Sequence, residues 1–360
     1  MKILVFIDSF EGGGMARLLS SIVNGLISRK HVLIVASNFT RPINYALDDR
    51  ITKINWYPDN YYNTNKFFRL INLIKEGRRI IKDNRPDVII SAYPHTIFLS
   101  RISGIGLGIP FVFADNTSYA RKDNGFIHYI RYHFYKYAKK VTIQTENDRK
   151  ILGKRLPNKV VISNPLSYPI FQGKSIRNKT LLAIGHTDRW EIKGFDILFR
   201  VWGKIAPSHP EWKVQIIGGE SQSSKQVLVN MLKENKIENS VEFLGFRTDT
   251  DLIMQQCSIF VLPSRIEGFS ISLTEALSQG LPAVAFKIHG VITDVSGNGH
   301  GTLLVDDGNE TEFKNALLCL MENNDLREQL STDGKKYVER YDLCNIINKW
   351  ENLLKEVVNK

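Results

Sequence analysis

Two carboxylates, Glu267 and Glu275, stand with seven residues between them in the stretch Pro263-Ser264-Arg265-Ile266-Glu267-Gly268-Phe269-Ser270-Ile271-Ser272-Leu273-Thr274-Glu275-Ala276-Leu277. The apolar run 259–262 before it reads as a strand, and 271–279 reads as an amphipathic helix. Gly268 lets the chain turn between them. The backbone N–H groups of Phe269, Ser270 and Ile271 at the helix start form an anion-binding terminus. One carboxylate can then accept hydrogen bonds from sugar hydroxyls and the other from a ribose diol. The plainer roles are a capping carboxylate for Glu267 and an exposed helix position for Glu275. The glycine between them and the turn Gly280-Leu281-Pro282 weigh against those roles.

Two further stretches carry groups suited to phosphate. Gly185-His186-Thr187-Asp188-Arg189-Trp190-Glu191-Ile192-Lys193-Gly194 follows the apolar run 181–184 and precedes a helix starting near Phe195. Lys193 as a point charge and Arg189 as a planar fork can reach a diphosphate from such a loop. An ordinary charged loop is the alternative. Gly12-Gly13-Gly14 lies between a first strand and a first helix, where glycines allow close backbone approach to a ligand or simply a tight turn. A nicotinamide dinucleotide site is disfavoured: the G-x-G-x-x-G spacing is absent, and the second strand runs into Ser37-Asn38 rather than an acidic residue.

These loops need strands and helices to hold them. Short apolar, β-branched runs at 3–7, 31–36, 88–91, 110–113, 141–144, 181–184, 214–217, 241–243, 259–262, 282–286 and 301–305 alternate with helical patterns such as 15–27. That alternation predicts parallel sheets covered by helices on both faces. Eleven strands exceed one ordinary open sheet. The expected organisation is therefore an α/β domain over 1–166, a second over 167–343 and a closing helix over 344–360. The break falls in the Pro- and Gly-containing stretch from Asn164-Pro165 to Lys179. Open α/β sheets bind ligands outside the carboxyl ends of their strands, so the site is expected in a cleft where two such sheets face each other.

The composition agrees with a folded chain. Of 360 residues, 43% are hydrophobic and 24% charged, too apolar for disorder. No apolar run approaches the ~20 residues of a membrane span. The start of the chain reads as a strand rather than a signal peptide, because Asp8 and Glu11 interrupt it. Three cysteines without metal-ligand spacing fit a reducing compartment.

The net charge of +11 is uneven: residues 1–166 carry 26 Lys+Arg and 12 Asp+Glu, a net of +14, and the remainder is −3. A basic half prefers an anionic surface, nucleic acid or acidic phospholipid. Two stretches concentrate it. In 66–82, Phe67, Leu70, Ile71, Ile74 and Arg78 follow helical spacing. In 126–140, Tyr129, Tyr132, Phe134, Tyr135 and Tyr137 mix with Arg131, Lys136, Lys139 and Lys140. Such mixtures suit a membrane interface or, more plainly, core-facing helices with a solvated basic face.

The pattern strand–Pro-Ser–x-x–Glu-Gly-Phe–x5–Glu-Ala-Leu–x2–Gly–x–Pro resembles the family 4 retaining glycosyltransferases. Supporting matches are Gly13-Gly14-x-x-Arg17, Asn164-Pro165, Gly185…Lys193-Gly194, Gly218-Gly219 and Val241-Glu242-Phe243-Leu244-Gly245. The resemblance covers essentially the whole chain and is nearest to bacterial enzymes that build surface or lipid-linked oligosaccharides. It implies the GT-B fold, two facing Rossmann-like domains with a deep cleft between them, 1–166 on the acceptor side and 167–343 binding the nucleotide-sugar donor. It also implies a nucleotide-diphosphate sugar donor, UDP by expectation, and no cofactor. Glu267 would contact the donor sugar and Glu275 the ribose. Lys193 would bind the diphosphate, Gly13 and Gly14 the phosphates or the acceptor, and the backbone at Phe246-Arg247 the base. Gly268, Phe269, Ser270 and Ile271 would line the donor site.

Two positions depart from the family pattern. His186 follows Gly185 where an Arg is usual, and Arg189 is expected to supply the cation. Asn116, in Ala114-Asp115-Asn116-Thr117, stands where many members carry a His near the reaction centre. His95 is the alternative there, although a lone His on a loop is more often a surface residue.

The expected reaction is retaining transfer of a hexose or N-acetylhexosamine to a hydroxyl of a growing, lipid-linked bacterial surface glycan such as lipopolysaccharide O-antigen or capsule. Glu267, Lys193, Arg189 and Asn116 are the expected catalytic residues. Fixed cations and a helix terminus would neutralise the leaving group without a metal. The protein is expected in the cytoplasm, on the inner face of the membrane through its basic half, and without a nucleic-acid partner. The alternatives are a nucleic-acid-binding protein using that basic half, which no recognition motif supports, and a non-catalytic sugar-binding relative.

Overall fold

A computed structural model describes residues 1–11, 14–57, 65–119, 123–173, 175–219 and 221–359. The chain forms two compact units, Met1–Pro165 with Leu343–Lys360, and Leu166–Asp342. The strands are β1 (Lys2–Phe6), β2 (Val32–Ser37), β3 (Thr52–Asn55), β4 (Val88–Ala92), β5 (Phe111–Ala114), β6 (Lys140–Ile143), β7 (Lys159–Val161), β8 (Thr180–Ile184), β9 (Lys213–Ile217), β10 (Val241–Gly245), β11 (Ile259–Leu262), β12 (Ala283–Phe286) and β13 (Thr302–Val305). The helices are α1 (Gly14–Ser28), α2 (Lys66–Asn84), α3 (Pro94–Ser103), α4 (Gly125–Tyr129), α5 (Glu146–Leu152), α6 (Trp190–Lys193), α7 (Phe195–Ile205), α8 (Gln222–Glu234), α9 (Thr250–Gln256), α10 (Ile271–Ser278), α11 (Val291–Val295), α12 (Glu310–Glu322), α13 (Asn324–Val338) and α14 (Leu343–Asn359).

The first unit holds a sheet of order β3-β2-β1-β4-β5-β6-β7, and the second a sheet of order β10-β9-β8-β11-β12-β13. Every pairing is parallel. The central strands are apolar throughout and buried on both faces: β4 is Val-Ile-Ile-Ser-Ala, and β11 is Ile-Phe-Val-Leu. Such runs are stable only under helices on both sides. Strand order reverses between β1 and β4 in one sheet and between β8 and β11 in the other. At such a reversal the loops leave the sheet in opposite directions and open a crevice.

All eleven predicted strands are present, and two more, β3 and β7, close the edges of the first sheet. Thr52-Lys53-Ile54-Asn55 and Lys159-Val160-Val161 are short and partly exposed. They carry neither the apolar run nor the clean alternation that marks a strand. The final helix α14 belongs to the first unit, where Ile346, Ile347, Trp350, Leu353, Leu354 and Val357 enter its core. Its Glu351 lies 3.1 Å from His31. With that helix the first unit carries 29 Lys+Arg and 14 Asp+Glu, net +15, and the second is −4.

Both basic stretches depart from expectation. In α2 the buried line is Leu73, Gly77, Ile80 and Ile81, while Phe67, Phe68 and Leu70 are exposed. The first turn of the stripe, read as facing either a membrane surface or the core, therefore lies on the solvent side. The stretch 126–140, a helix on the plainer of its two readings, is broken into α4, a π turn at Ile130–Phe134 and a 3-10 turn at Tyr135–Tyr137. Arg131, read as part of a basic surface, is fully buried.

The Arg131 Nε donates to Asp115 Oδ2 at 2.8 Å, and its Nη1 donates to Asp123 Oδ2 at 2.6 Å. Its Nη2 donates to the Thr117 carbonyl at 2.6 Å, and the guanidinium lies 3.7 Å from the centre of the Tyr119 ring. Burial opposes the charge. Asp115 outweighs it, with Tyr119 and Asp123, and the guanidinium titrates above its usual range.

Candidate active site

The loop after β8 and the loop after β11 meet at the strand reversal of the second unit. Gly218 sits so close to the first loop that a Cβ there would lie 1.9 Å from the Gly185 carbonyl oxygen. Thr187 donates from both its N–H and its hydroxyl to the Gly219 carbonyl, each at 3.0 Å. Asp188 accepts from the Ser221 N–H at 3.2 Å, and the serine hydroxyl holds its carboxyl below the usual range. The His186 ring Nδ1 is 3.4 Å from the Asp188 N–H, and its Nε2 lies against Gly219. Residues 185–189 are thus fastened to the end of β9.

The short helix α6 then carries Lys193 and ends at Gly194, whose φ is +70°. A side chain there would be strained twice over, since its Cβ would lie 1.9 Å from the Pro263 carbonyl oxygen. Arg265 completes the junction. Its N–H donates to Ile192 O at 2.8 Å, and its guanidinium forks both oxygens of Asp196 at 2.7 Å. A bidentate arginine–carboxylate pair fixes orientation as well as distance.

This fastening brings together the two residues that matter most. Lys193 Nζ is 2.8 Å from Glu267 Oε1, and the Ser264 hydroxyl donates to the same oxygen at 2.8 Å. Both side chains are largely shielded, Lys193 18% and Glu267 10% exposed. An ammonium has three donors, so Glu267 occupies one and leaves others for an anion. Glu267 Oε2 is bonded to none of the described residues and can accept from a hydroxyl.

Beyond Glu267 the loop is shaped for the start of α10. The Phe269 ring is buried and packs edge-on to Tyr341, with ring centres 5.2 Å apart, so it anchors the loop. Ser270 holds φ +60°, a strained conformation for a serine, and no side chain caps the helix that follows. The first-turn N–H groups at Ile271 therefore remain available to an anion. Ser270 Oγ is buried with no hydrogen-bond partner among the described residues. Glu275 is 4% exposed, which removes the reading of it as a surface helix residue.

The other sequence-predicted residues scatter around this centre. Arg189 is exposed and makes no ion pair among the described residues. Phe246, just past β10, is 78% exposed. Arg247 forks Asp249 at 2.8 and 2.6 Å. Gly268 lies in the loop between Glu267 and Phe269, partly exposed. In the first unit, Gly14 opens α1, and Gly13 lies outside the described residues. Asn116 donates to Asn164 Oδ1 at 3.2 Å, an oxygen that also accepts from Gln144 at 2.7 Å. His95 is exposed, with its ring 5.6 Å from Phe126.

Three features were missed in the sequence. Ser264 was read only as part of a pattern, although a hydroxyl three residues before a loop carboxylate is placed to bond it. The Arg265–Asp196 fork spans 69 residues and has no local signal. Asp249-Thr250-Asp251 has the Asp-x-Asp spacing of a metal-binding pair. There, Asp249 is taken by Arg247, and Asp251 lies in the first turn of α9.

Comparison with known proteins agrees with this geometry. A family model described as "Glycosyltransferase Family 4" matches residues 12–167, and one described as "Glycosyl transferases group 1" matches 170–337. A protein of Haemophilus influenzae named "Uncharacterized glycosyltransferase" is 26% identical over 96% of this chain and 97% of its own. The "GalNAc-alpha-(1->4)-GalNAc-alpha-(1->3)-diNAcBac-PP-undecaprenol alpha-1,4-N-acetyl-D-galactosaminyltransferase" of Campylobacter jejuni is 20% identical over 100% of this chain and 99% of its own. Among solved structures, Anabaena HepE in complex with UDP and glucose superposes with a TM-score of 0.80 at 18% identity, covering 99% of both chains. With two doubly wound parallel sheets and a family match to each, the chain belongs to the family 4 glycosyltransferases and has the GT-B fold.

Proposed function

We propose that the protein transfers a hexose or N-acetylhexosamine, with retention, from a nucleotide-diphosphate sugar to a hydroxyl of a growing, lipid-linked bacterial surface glycan. UDP is the nucleotide we assign. The observation that carries the reading is the Lys193–Glu267–Ser264 cluster at the β8/β11 reversal, beside the uncapped start of α10. Relatives whose names specify a diphospho-undecaprenol acceptor and a UDP complex support the substrate class.

In this reaction the bond from the anomeric carbon to the diphosphate oxygen breaks, and the acceptor oxygen bonds to the same face. The acceptor proton passes to the departing phosphate oxygen, so no protein nucleophile is required. Lys193, Arg189 and the α10 terminus offset the charge that grows on the diphosphate. Glu267 holds a sugar hydroxyl through Oε2, and Glu275 the ribose. Asn116, held by Asn164, is the catalytic residue assigned to the first unit. His186 borders the phosphates, and Phe246-Arg247 face the base. Fixed cations do the neutralising, so no metal is needed. Transfer in excess EDTA, with the product anomer read by NMR, checks both points. The expected result is full activity and retained configuration; abolition by chelation or inversion overturns the mechanism.

The basic first unit supports a membrane-bound acceptor. No helix among the described residues is long and apolar enough to cross a membrane. Exposed Phe67, Phe68 and Leu70 on α2, and Phe126 and Tyr129 on α4, lie in a unit of net charge +15. Apolar anchors with surrounding cations suit an anionic bilayer surface on the cytoplasmic side, each cation contributing ~1 kcal/mol near it. The protein is expected to co-sediment with vesicles rich in phosphatidylglycerol and not with neutral ones. Equal binding to both would exclude the electrostatic attachment.

A further inference from the structure

His186 is the first side chain past the carboxyl end of β8, one residue after Gly185, at the strand reversal of the second unit. The Lys193 side chain packs over Gly185, where a Cβ would lie 2.7 Å from its Cγ, so it runs past the backbone next to His186. The His186 ring leans toward Gly219, past β9. The sheet order β10-β9-β8-β11 therefore sets this ring between Phe246-Arg247, assigned to the base, and Lys193, assigned to the diphosphate. The plain role for His186 is a cap. It precedes the 3-10 turn Thr187–Arg189, and its Nδ1 accepts from the Asp188 N–H. That bond is long, 3.4 Å, and the side chain is 53% exposed, so the cap fixes little.

The two ring nitrogens are differently placed. Nδ1 faces the Asp188 N–H at 3.4 Å and the Asp188 carboxylate oxygen Oδ2 at 3.6 Å. A neutral ring accepts from the first, and a protonated ring donates toward the second. Either protonation state thus finds a partner on the same residue, with no change of fold. Nε2 lies against Gly219, where a Cβ would sit 3.1 Å from it, and it bonds none of the described residues. With Nδ1 engaged in either way, Nε2 carries a proton. It offers an unused N–H donor at the carboxyl end of the sheet.

The charges around the ring decide which state an anion selects. Asp188 stays ionised at neutral pH, because hydrogen bonds from the Ser221 and Ser224 hydroxyls hold its carboxyl below the usual range. Lys193 is paired with Glu267, and Arg247 past β10 with Asp249. Arg189, on the same turn as Asp188, makes no ion pair among the described residues. From the end of β9 the ring meets Gly219, with Ser221 bonded to Asp188, while Glu220 lies outside the described residues. A diphosphate arriving beside Nε2 adds a second anion across the ring from Asp188. Opposite charge within about 4–6 Å favours the charged form of a titratable group, and imidazole is the side chain that changes charge between pH 5 and 8. We propose that His186 binds the nucleotide diphosphate as an imidazolium, taking a proton from solvent when the nucleotide docks and returning it when the nucleotide leaves. The proposal rests on the reading of this loop as the diphosphate site and adds its regulation: the nucleotide is held more tightly toward acid pH and released more readily toward alkaline pH.

Calorimetric titration of UDP in two buffers of different ionisation enthalpy counts the protons exchanged on binding. The terminal phosphate of UDP titrates in the same range, so the native protein minus His186→Gln isolates the ring. At pH 7 the expected difference is an uptake of about half a proton per UDP. From pH 6 to pH 8 the affinity advantage of the native protein over His186→Gln should shrink about fivefold. His186→Arg, charged at every pH, should bind tightly at both ends of that range without the extra proton. Melting curves confirm that both variants are folded. A cap alone would change loop stability and leave the proton count unmoved. Equal proton uptake in the native protein and His186→Gln, or a ratio of their affinities that does not change with pH, would overturn the proposal while UDP binding keeps the diphosphate reading. No UDP binding at any pH would overturn both.

Discussion

Replacing Lys193 by alanine is expected to lower kcat by about two to three orders of magnitude, the usual effect of removing one preorganised charge partner from a transition state. The side chain is well placed for that role and poorly placed for a structural one. It sits on the four-residue helix α6 at the carboxyl end of the sheet, and its partner is a loop carboxylate rather than a core group. The junction itself is held by Arg265, Asp196 and the backbone at Gly194, none of which the substitution touches. The melting temperature should therefore change little while turnover collapses. Glu267→Ala should also be severely impaired, and the fold-loss of the double variant should be far smaller than the product of the two single losses, because residues that act as a unit are not additive. Steady-state kinetics on the three variants, with melting curves as the control, reads this directly.

The largest effect on stability is expected from Arg131→Ala. The variant leaves Asp115 and Asp123 shielded from water without their cation, and strips the carbonyl of Thr117 of its donor. Breaking a buried ion pair from one side costs about 3–5 kcal/mol. In a unit of this size that lowers the melting temperature by about 10 °C. The same group ties down residues 115–118, so Asn116 should lose its fixed position as the unit loosens. Thermal and denaturant unfolding of the native and variant proteins checks the prediction. A loss of under about 1 kcal/mol would mean that the two aspartates find other partners or protonate, and that the cluster is not what holds this loop.

Arg131 also shows where sequence reading stops. The central strands were legible because Val, Ile, Leu and Phe in runs such as 88–91 and 259–262 admit few other structures. The first sheet's edge strands β3 and β7 were not, since both are short, partly exposed and without a clean apolar pattern. The aromatic-basic stretch 126–140 looked like one surface, because nothing in sequence tells a cation that is solvated from one that is sequestered by Asp115 and Asp123. In α2, periodicity found a helix but left its apolar stripe open between the core and a membrane surface: Leu73, Ile80 and Ile81 go inward, and the phenylalanines of the first turn stay outside.

At the candidate site, Glu267, Glu275 and Lys193 were identified from residue type, spacing and family resemblance. The meeting of Lys193 with Glu267 was not, since it depends on Gly194 and Pro263 touching across 69 residues of chain and on the fork of Arg265 to Asp196.

The central claim is that the β8/β11 reversal of the second unit is a diphosphate site built on Lys193. Calorimetric titration of UDP into the native protein and Lys193→Ala, in EDTA and at fixed salt, tests it most directly. The account predicts saturable binding at one site and a loss of at least about tenfold in affinity in the variant, equivalent to 1.4 kcal/mol. Equal UDP affinity in the two proteins, or binding that appears only when a divalent metal is restored, would contradict it.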